Sequence, residues 1–330
     1  MIGVMARKLR IESSEGLYHV INRGNYRSWI FETAGARTAF EATLGQSCER
    51  FGWQVLAYSI LSNHFHLCLA TPEGNLSEGM RWLQGTYAGR FNRLRGEVGR
   101  LFQGRFKSLI VEPGSHLTNL VDYIHLNPVR AGLEKAEGLG GYRWCSLYHF
   151  PKRKSRWKWL DASWLDYMEG LSDDRRGWRG YLDRLRLLVE MDAKEVEKLE
   201  KRMNRGWCIG SRGFKKDLAR DYFHNHGAIH MEHAELRELN ELRWEGYLEA
   251  SLKALSKNEA DLESARKSQR WKLAIAASMK RETSVTNQWL SEHLYMGAPN
   301  AISSACGKYE REVQNSRKYA KRLRNLRNEQ

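Results

Sequence analysis

Residues 53–70 hold two β-prone apolar stretches, 53–60 and 64–70, separated only by Leu61, Ser62 and Asn63. So short a connection implies a hairpin of adjacent strands. Side chains on a strand alternate faces, so His64 and His66 project together while Phe65 packs on the opposite side. Two imidazoles side by side make half of a metal site. The alternative is a pair of partly exposed strand histidines, and only partners from elsewhere in the chain decide between the two.

Residues 17–22 form a short β-prone run that ends in the turn signal Arg23, Gly24, Asn25. Residues 33–52 and 76–95 carry apolar side chains at three- and four-residue steps, the period of a helix packed on one face. Residues 106–112 read as a further strand. Residues 115–126 read as a helix that stops at Asn127-Pro128, because the residue before proline disfavours helix. The order strand, helix, strand, strand, helix, strand, helix predicts an α+β fold: a ferredoxin-like antiparallel sheet with helices on its faces. In that topology His64 and His66 lie on an interior strand.

The chain has 330 residues, enough for about two domains, and a formal charge of +15. That excess favours a polyanionic partner. Its 12 Trp and 14 Tyr add flat rings able to stack on bases, although most such rings fill cores. Cysteines 48, 68, 145, 208 and 306 are odd in number and form no Cys-x-x-Cys pair, which argues against a disulfide framework or a zinc ribbon. No apolar run approaches the roughly 20 residues of a membrane helix, and residues 1–10 lack the apolar core of a signal peptide. The expectation is a cytoplasmic protein with no membrane association.

From residue 151 the texture changes. The string Pro151-Lys-Arg-Lys-Ser-Arg-Trp-Lys158 reads as a basic linker, and the charged stretch to about 260 reads as helical without strands. The expected division is 1–150 as the catalytic domain, 151–264 as linker and charged helices, and 265–330 as a small helical unit with a basic tail. In that unit residues 272–280 form one helix. Residues 283–294 form a second, capped by Thr283 or Ser284. A third starts after Pro299 and Asn300.

Tyr123 and Asn127 are four residues apart and share a helix face. If that helix covers the strand bearing His64 and His66, the four side chains converge. Two imidazoles and an amide oxygen then offer three ligands to a divalent ion, with Mg²⁺ or Mn²⁺ expected. A phenol beside that ion is a candidate nucleophile toward a phosphodiester. Tyr87 and Tyr18 read as core residues. His125, two positions from Tyr123, faces away from it, and the place of His19 is open.

At this point a resemblance is visible. The strings Tyr18-His-Val-Ile-Asn-Arg-Gly-Asn25, Leu61-Ser-Asn-His-Phe-His-Leu67, Leu101-Phe-Gln-Gly-Arg-Phe-Lys107 and Asp122-Tyr-Ile-His-Leu-Asn-Pro-Val-Arg130 are similar to those of single-tyrosine HUH transposases of the REP-associated type. The resemblance covers about residues 5–150. It implies that His64 and His66 are the metal pair, Asn127 the third ligand and Tyr123 the nucleophile. The implied chemistry is cleavage and rejoining of single-stranded DNA through a 5′-phosphotyrosine, on palindromic repeats that fold into hairpins. Relatives occur as monomers and as homodimers.

Candidate DNA contacts in the first domain are Asn22, Arg23 and Asn25 at the first turn, and Arg105 and Lys107 flanking Phe106. In the C-terminal unit, which resembles an appended helix-turn-helix, they are Asn300, Ser303, Ser304 and Lys308 on the third helix. His224, His226, His230 and His233 read as surface histidines rather than a second metal site. Two rival readings remain: a catalytically silent DNA-binding regulator on the same fold, and an RNA-binding sheet. The second normally needs exposed aromatics where this chain has histidines.

Overall fold

The structure, a computed structural model, describes residues 12–226 and 233–327. Residues 1–10 lie outside it, as does His230, and the side chains of His224, His226 and His233 are likewise outside the described set. The described residues divide into two compact units, one up to Phe214 and the other from Lys215 onward.

The first unit opens with β1 (Gly16–Arg23), α1 (Ala34–Phe51), β2 (Gln54–Ile60), β3 (His64–Thr71), α2 (Leu76–Arg95), β4 (Lys107–Val111) and α3 (Ser115–Arg130). The ends of α1 follow from its sequence. Thr33 accepts a hydrogen bond from the Ala36 amide, and Gly52 closes the helix in the left-handed region. The strands assemble in the order β2-β3-β1-β4, with β1 antiparallel to both neighbours and β2 antiparallel to β3. This is the expected ferredoxin-like sandwich, and β3 is interior.

Strand alternation sorts the two faces. Phe65 meets Phe40 at 4.7 Å and Phe31 at 6.3 Å between ring centroids, on the side covered by α1 and α2. Tyr87 of α2 joins that cluster, 1 % exposed, with its hydroxyl on the Ile30 carbonyl. Gly79 lets α2 approach: a Cβ there would sit 2.0 Å from the Trp53 ring. His64 and His66 lie on the opposite face, which α3 covers.

Two expectations are corrected here. The helix does not stop at Asn127-Pro128: α3 runs on to Arg130 with Pro128 inside it. Pro128 falls in the last turn, where only one intrahelical bond is forfeited. Ten of its neighbours up the helix, including Leu117, Val121 and Ile124, are buried and hold the turn in place. Nor does the first unit end near residue 150. The segment read as a basic linker packs onto it: Arg156 Nε donates to the Phe150 carbonyl at 2.9 Å and pairs with Asp173, and Trp157 lies on His149 at 4.3 Å and on Trp159 at 4.8 Å.

After α3 follow α4 (Ser146–His149), α5 (Arg175–Val189), α6 (Ala193–Asn204) and β5 (Cys208–Ile209). β5 lies parallel to β4 and adds a fifth strand at the sheet edge, in a stretch that shows no strand pattern in its sequence. Trp164, Trp178 and Tyr181 are buried around Phe150 and His125, and Arg184 bonds Asp122 at 2.8 Å, so α5 braces the outer flank of α3.

The second unit contains α7 (Arg212–His226, which begins in the first unit), α8 (His233–Ala254), α9 (Glu259–Ser264), α10 (Arg270–Glu282), α11 (Asn287–His293) and α12 (Pro299–Arg327). Its core joins Trp244, Leu248 and Leu252 of α8 to Ile275 and Met279 of α10, Trp289 and Leu290 of α11, and Ile302 of α12. The core therefore reaches back past residue 265. Thr286, rather than Thr283 or Ser284, caps α11 by accepting from the Trp289 amide. Lys272 is fully buried, and its ammonium bonds the Leu262 and Ala265 carbonyls at the end of α9. No helix among the described residues is long and apolar enough to cross a membrane.

Candidate active site

The register of β1 against β3 sets Ile21 opposite His66 and Arg23 opposite His64. His19, two residues from Ile21, therefore shares the histidine face. Its Nε2 lies 3.0 Å from His66 Nδ1, and its Nδ1 lies 2.8 Å from the Met203 carbonyl. A carbonyl only accepts, so His19 carries its proton on Nδ1. Burial pushes the His19 imidazole down to about 3, so at neutral pH its Nε2 is a lone pair. It must then accept the Nδ1 proton of His66, which leaves the Nε2 lone pair of His66 unbonded. His64 Nδ1 lies 2.6 Å from Asn63 Oδ1, which assigns the same tautomer and frees its Nε2 as well. Burial holds His64 down to about 4, with Arg23 adding to the effect. Burial, followed by His19 and His64, holds His66 well below the ordinary imidazole range. Both rings are thus neutral and in the tautomer a metal requires.

α3 brings the rest. The Tyr123 ring stands edge-on to His66 at 5.5 Å and to His19 at 6.1 Å. Asn127, one turn on, donates Nδ2 to the Tyr123 carbonyl at 3.1 Å, which leaves its Oδ1 as the atom of that amide able to ligate. His64, His66, Tyr123 and Asn127 line one cleft of about 460 Å³. Two imidazole nitrogens and an amide oxygen suit a borderline or hard divalent ion with open positions. No group of three His, Cys, Asp or Glu with metal-site geometry occurs among the described residues, so the amide is needed to complete the set. Burial raises the Tyr123 phenol above its ordinary value. The Asn204 hydrogen bond, Asn127 and Arg130 oppose that shift, while Glu200 adds to it. The phenol is therefore protonated at neutral pH until a further positive charge comes near it.

The remaining expected residues divide. Asn22, Arg23, Arg105 and Lys107 line the same cleft. Asn22 is 5 % exposed; its Oδ1 accepts from the Arg23 amide and its Nδ2 faces the Gly104 carbonyl at 3.5 Å, so it shapes the wall. Asn25 turns instead to a neighbouring hollow beside Tyr26, Trp29 and Arg100. Asn300, Ser303, Ser304 and Lys308 belong to the other unit and are exposed on α12. Ser303 is engaged there by Lys280 at 2.6 Å and Asn287 at 2.9 Å, so it ties α10 and α11 to α12.

Reading the sequence missed Arg130, Glu200 and Asn204, which line the cleft, and the part played by Met203. Arg130 was within reach, because it lies seven residues from Tyr123 and so on the same helix stripe. Asn204 donates to the Tyr123 hydroxyl at 2.7 Å, and its carbonyl accepts from Lys107 at 2.8 Å. Nothing in the charged α6 sequence marks it. The cleft holds Arg23, Arg105, Lys107 and Arg130 against the single carboxylate of Glu200, and so favours an anion.

His125 is outside the cleft. Its two nitrogens bond Tyr181 Oη and Ser146 Oγ, both at 2.8 Å, and burial pushes it down to about 3. His19 and His125 make the fold acid-sensitive. Both have folded pKa values below the unfolded value of about 6.5, so their contribution is complete above that pH. It falls as pH drops from 6.5 toward 3, because only the unfolded chain takes up the protons. At pH 5 the loss is about 2 kcal/mol for each. Thermal melts should show a marked drop in Tm between pH 7.5 and 5, and His125→Gln should flatten that slope. A Tm constant over this range would mean that the two rings are not buried and neutral.

The α+β sandwich thus presents the paired strand histidines of β3 to a tyrosine carried on α3. Residues 12–127 match the model of the IS200-like transposase family. A protein of Haemophilus influenzae named as a REP-associated tyrosine transposase is 27 % identical over 104 residues, covering 28 % of this chain. The chain spans 59 % of the length of that relative. A solved REP-associated tyrosine transposase bound to a REP hairpin aligns at TM-score 0.38 and 17 % identity, over 46 % of this chain and 88 % of that one. A structure described as a transposase from Deinococcus radiodurans aligns at TM-score 0.27 and 19 % identity, over 37 % and 97 %.

Proposed function

We propose that the protein is a metal-dependent, single-strand DNA endonuclease and strand transferase that works through a 5′-phosphotyrosine, with hairpin-forming palindromic repeats as its substrate. One observation carries this reading. A buried phenol stands beside two imidazoles whose Nε2 lone pairs are free, in one cleft with four cationic side chains.

His64, His66 and Asn127 would hold Mg²⁺ or Mn²⁺. Such an ion supplies Lewis-acid polarisation of the scissile phosphoryl group and favours the phenolate. The residues do the rest. Asn204 orients the Tyr123 hydroxyl by its 2.7 Å bond. Tyr123 Oη loses its proton to solvent as it attacks phosphorus, the bond to the 3′ oxygen breaks, that oxygen takes up a proton from solvent, and the 5′ phosphate is left on the tyrosine. The freed 3′ hydroxyl, or one from another end, reverses the step and joins strands. Arg23, Arg105 and Lys107 hold the backbone on either side.

The test uses single strands tiled across the DNA that flanks the gene. With Mn²⁺ present, one strand of a palindrome should give a protein–DNA band that survives denaturing electrophoresis. Absence of the band with every strand, while the same strands bind, would favour the silent regulator.

The second unit is assigned to DNA binding as a helix-turn-helix module, with Asn300, Ser304 and Lys308 exposed on the first turns of α12. A chain ending at Phe214 keeps the whole sheet and cleft and should react with a short saturating strand at the full-length rate. On long target DNA it should bind more weakly, with a shallower dependence of Kd on salt. Identical Kd and slope for the two forms would remove the second unit from the DNA interface.

A further inference from the structure

Arg130 is a cation of the cleft with no role of its own in the proposed reaction. It sits on the same stripe of α3 as Tyr123 and Asn127, at spacings of seven and three residues. Its Cζ lies 5.7 Å from the centre of the Tyr123 ring. Both terminal nitrogens, Nη1 and Nη2, are buried without a hydrogen-bond partner. The nearby carboxylates do not meet this need. Asp122 Oδ2 accepts from Arg184 Nε at 3.1 Å and Nη2 at 2.8 Å, and its Oδ1 is buried without bonding Arg130. Glu200 lines the same cleft and its charge favours the Arg130 cation, but it hydrogen-bonds neither Nη1 nor Nη2.

Buried donor nitrogens without an acceptor are unfavourable, and an anion entering the cleft would satisfy both of them. The guanidinium fork matches an anion with two oxygens in one plane. A phosphodiester presents two such non-bridging oxygens, and the other cations of the cleft would hold its neighbours along the strand.

We infer that Arg130 is a catalytic residue of this site: its two Nη groups grip the non-bridging oxygens of the phosphate that Tyr123 attacks. The inference rests on the proposed function and deepens it. The charge on those oxygens grows as Tyr123 Oη bonds to phosphorus and the 3′ oxygen departs, and a prepositioned cation is worth most at that moment. The negative charge of the bound phosphate in turn satisfies the stranded guanidinium. Arg130 thereby accounts for the location of the reacting phosphate without contact to a base, so its effect is independent of sequence.

Two measurements on the full chain test this. The first is calorimetric titration with inorganic phosphate at constant ionic strength. Wild type and Tyr123→Phe should bind it alike, Arg130→Gln at least about tenfold more weakly, and Arg130→Lys in between. The second is single-turnover adduct formation at saturating DNA. Arg130→Gln should slow it by about 10² to 10³ with no loss of Tm, and Arg130→Lys by less. A methylphosphonate at the cleaved position, which removes the non-bridging charge, should bring wild type and Arg130→Gln close together. Equal phosphate affinity in wild type and Arg130→Gln overturns the inference, and so does equal adduct rate. If no chain forms an adduct but phosphate binding still depends on Arg130, the strand-transfer reading fails and the phosphate anchor stands.

Discussion

Tyr123→Phe should form no covalent adduct with single-stranded DNA, a loss of at least about four orders of magnitude or roughly 5.5 kcal/mol of barrier. The substitution deletes one oxygen and leaves the ring, which packs edge-on to His66 and His19, in place. The hydrogen bond from Asn204 goes with it, at a cost of about 1 kcal/mol in stability. DNA affinity should not change, since Arg23, Arg105 and Lys107 are untouched. Comparison of adduct yield and Kd on one strand separates chemistry from binding. An adduct of undiminished yield would remove Tyr123 from the nucleophile's role. Tyr87 would be a poor successor, being 1 % exposed with its hydroxyl on a backbone carbonyl. An exposed ring such as Tyr26, 93 % accessible, would be the one to test.

Much of this site was legible because it is built from periodicity. Alternation along β3 put His64 and His66 together, and the helical repeat put Asn127 one turn from Tyr123. The sheet order followed from the order of strand and helix signals. What the sequence hid has physical causes. Pro128 suggested a helix end, but burial of α3 along its length outweighs a single missing bond. Residues 151–158 looked like a linker because basic residues usually face water. Here Arg156 is paired with Asp173 and the tryptophans stack, so charge and aromatic content served packing. Met203 and Asn204 reach His19 and Tyr123 across 184 and 81 residues of chain. No local pattern encodes such contacts, and α6 by itself is an ordinary charged amphipathic helix. His19 was an intermediate case: its strand was clear, but its role depended on the exact register of β1 against β3.

That role shapes the expected behaviour of the metal. Mn²⁺ should bind the full chain and raise its Tm, by an amount equivalent to about 2.7 kcal/mol at a concentration one hundred times Kd. His66→Ala should abolish the shift and the adduct together, because it removes one of three protein ligands. His64→Ala should do the same, and Asn127→Ala less, since water can replace an amide oxygen. His19→Phe should weaken binding about 10- to 100-fold without removing any ligand, because nothing then holds His66 in the tautomer with its Nε2 lone pair free. The pH dependence carries a further sign. Metal needs neutral imidazoles, and ordinary histidines would lose affinity as pH falls below about 6.5. Here burial holds His64 down to about 4 and His66 well below its usual range, so protons compete only in more acid solution. Mn²⁺ affinity measured by titration should therefore be nearly flat from pH 8 to 6. A decline of tenfold or more across that interval would mean that the imidazoles are not held neutral by the fold, and full adduct formation in EDTA would remove the metal from the reaction.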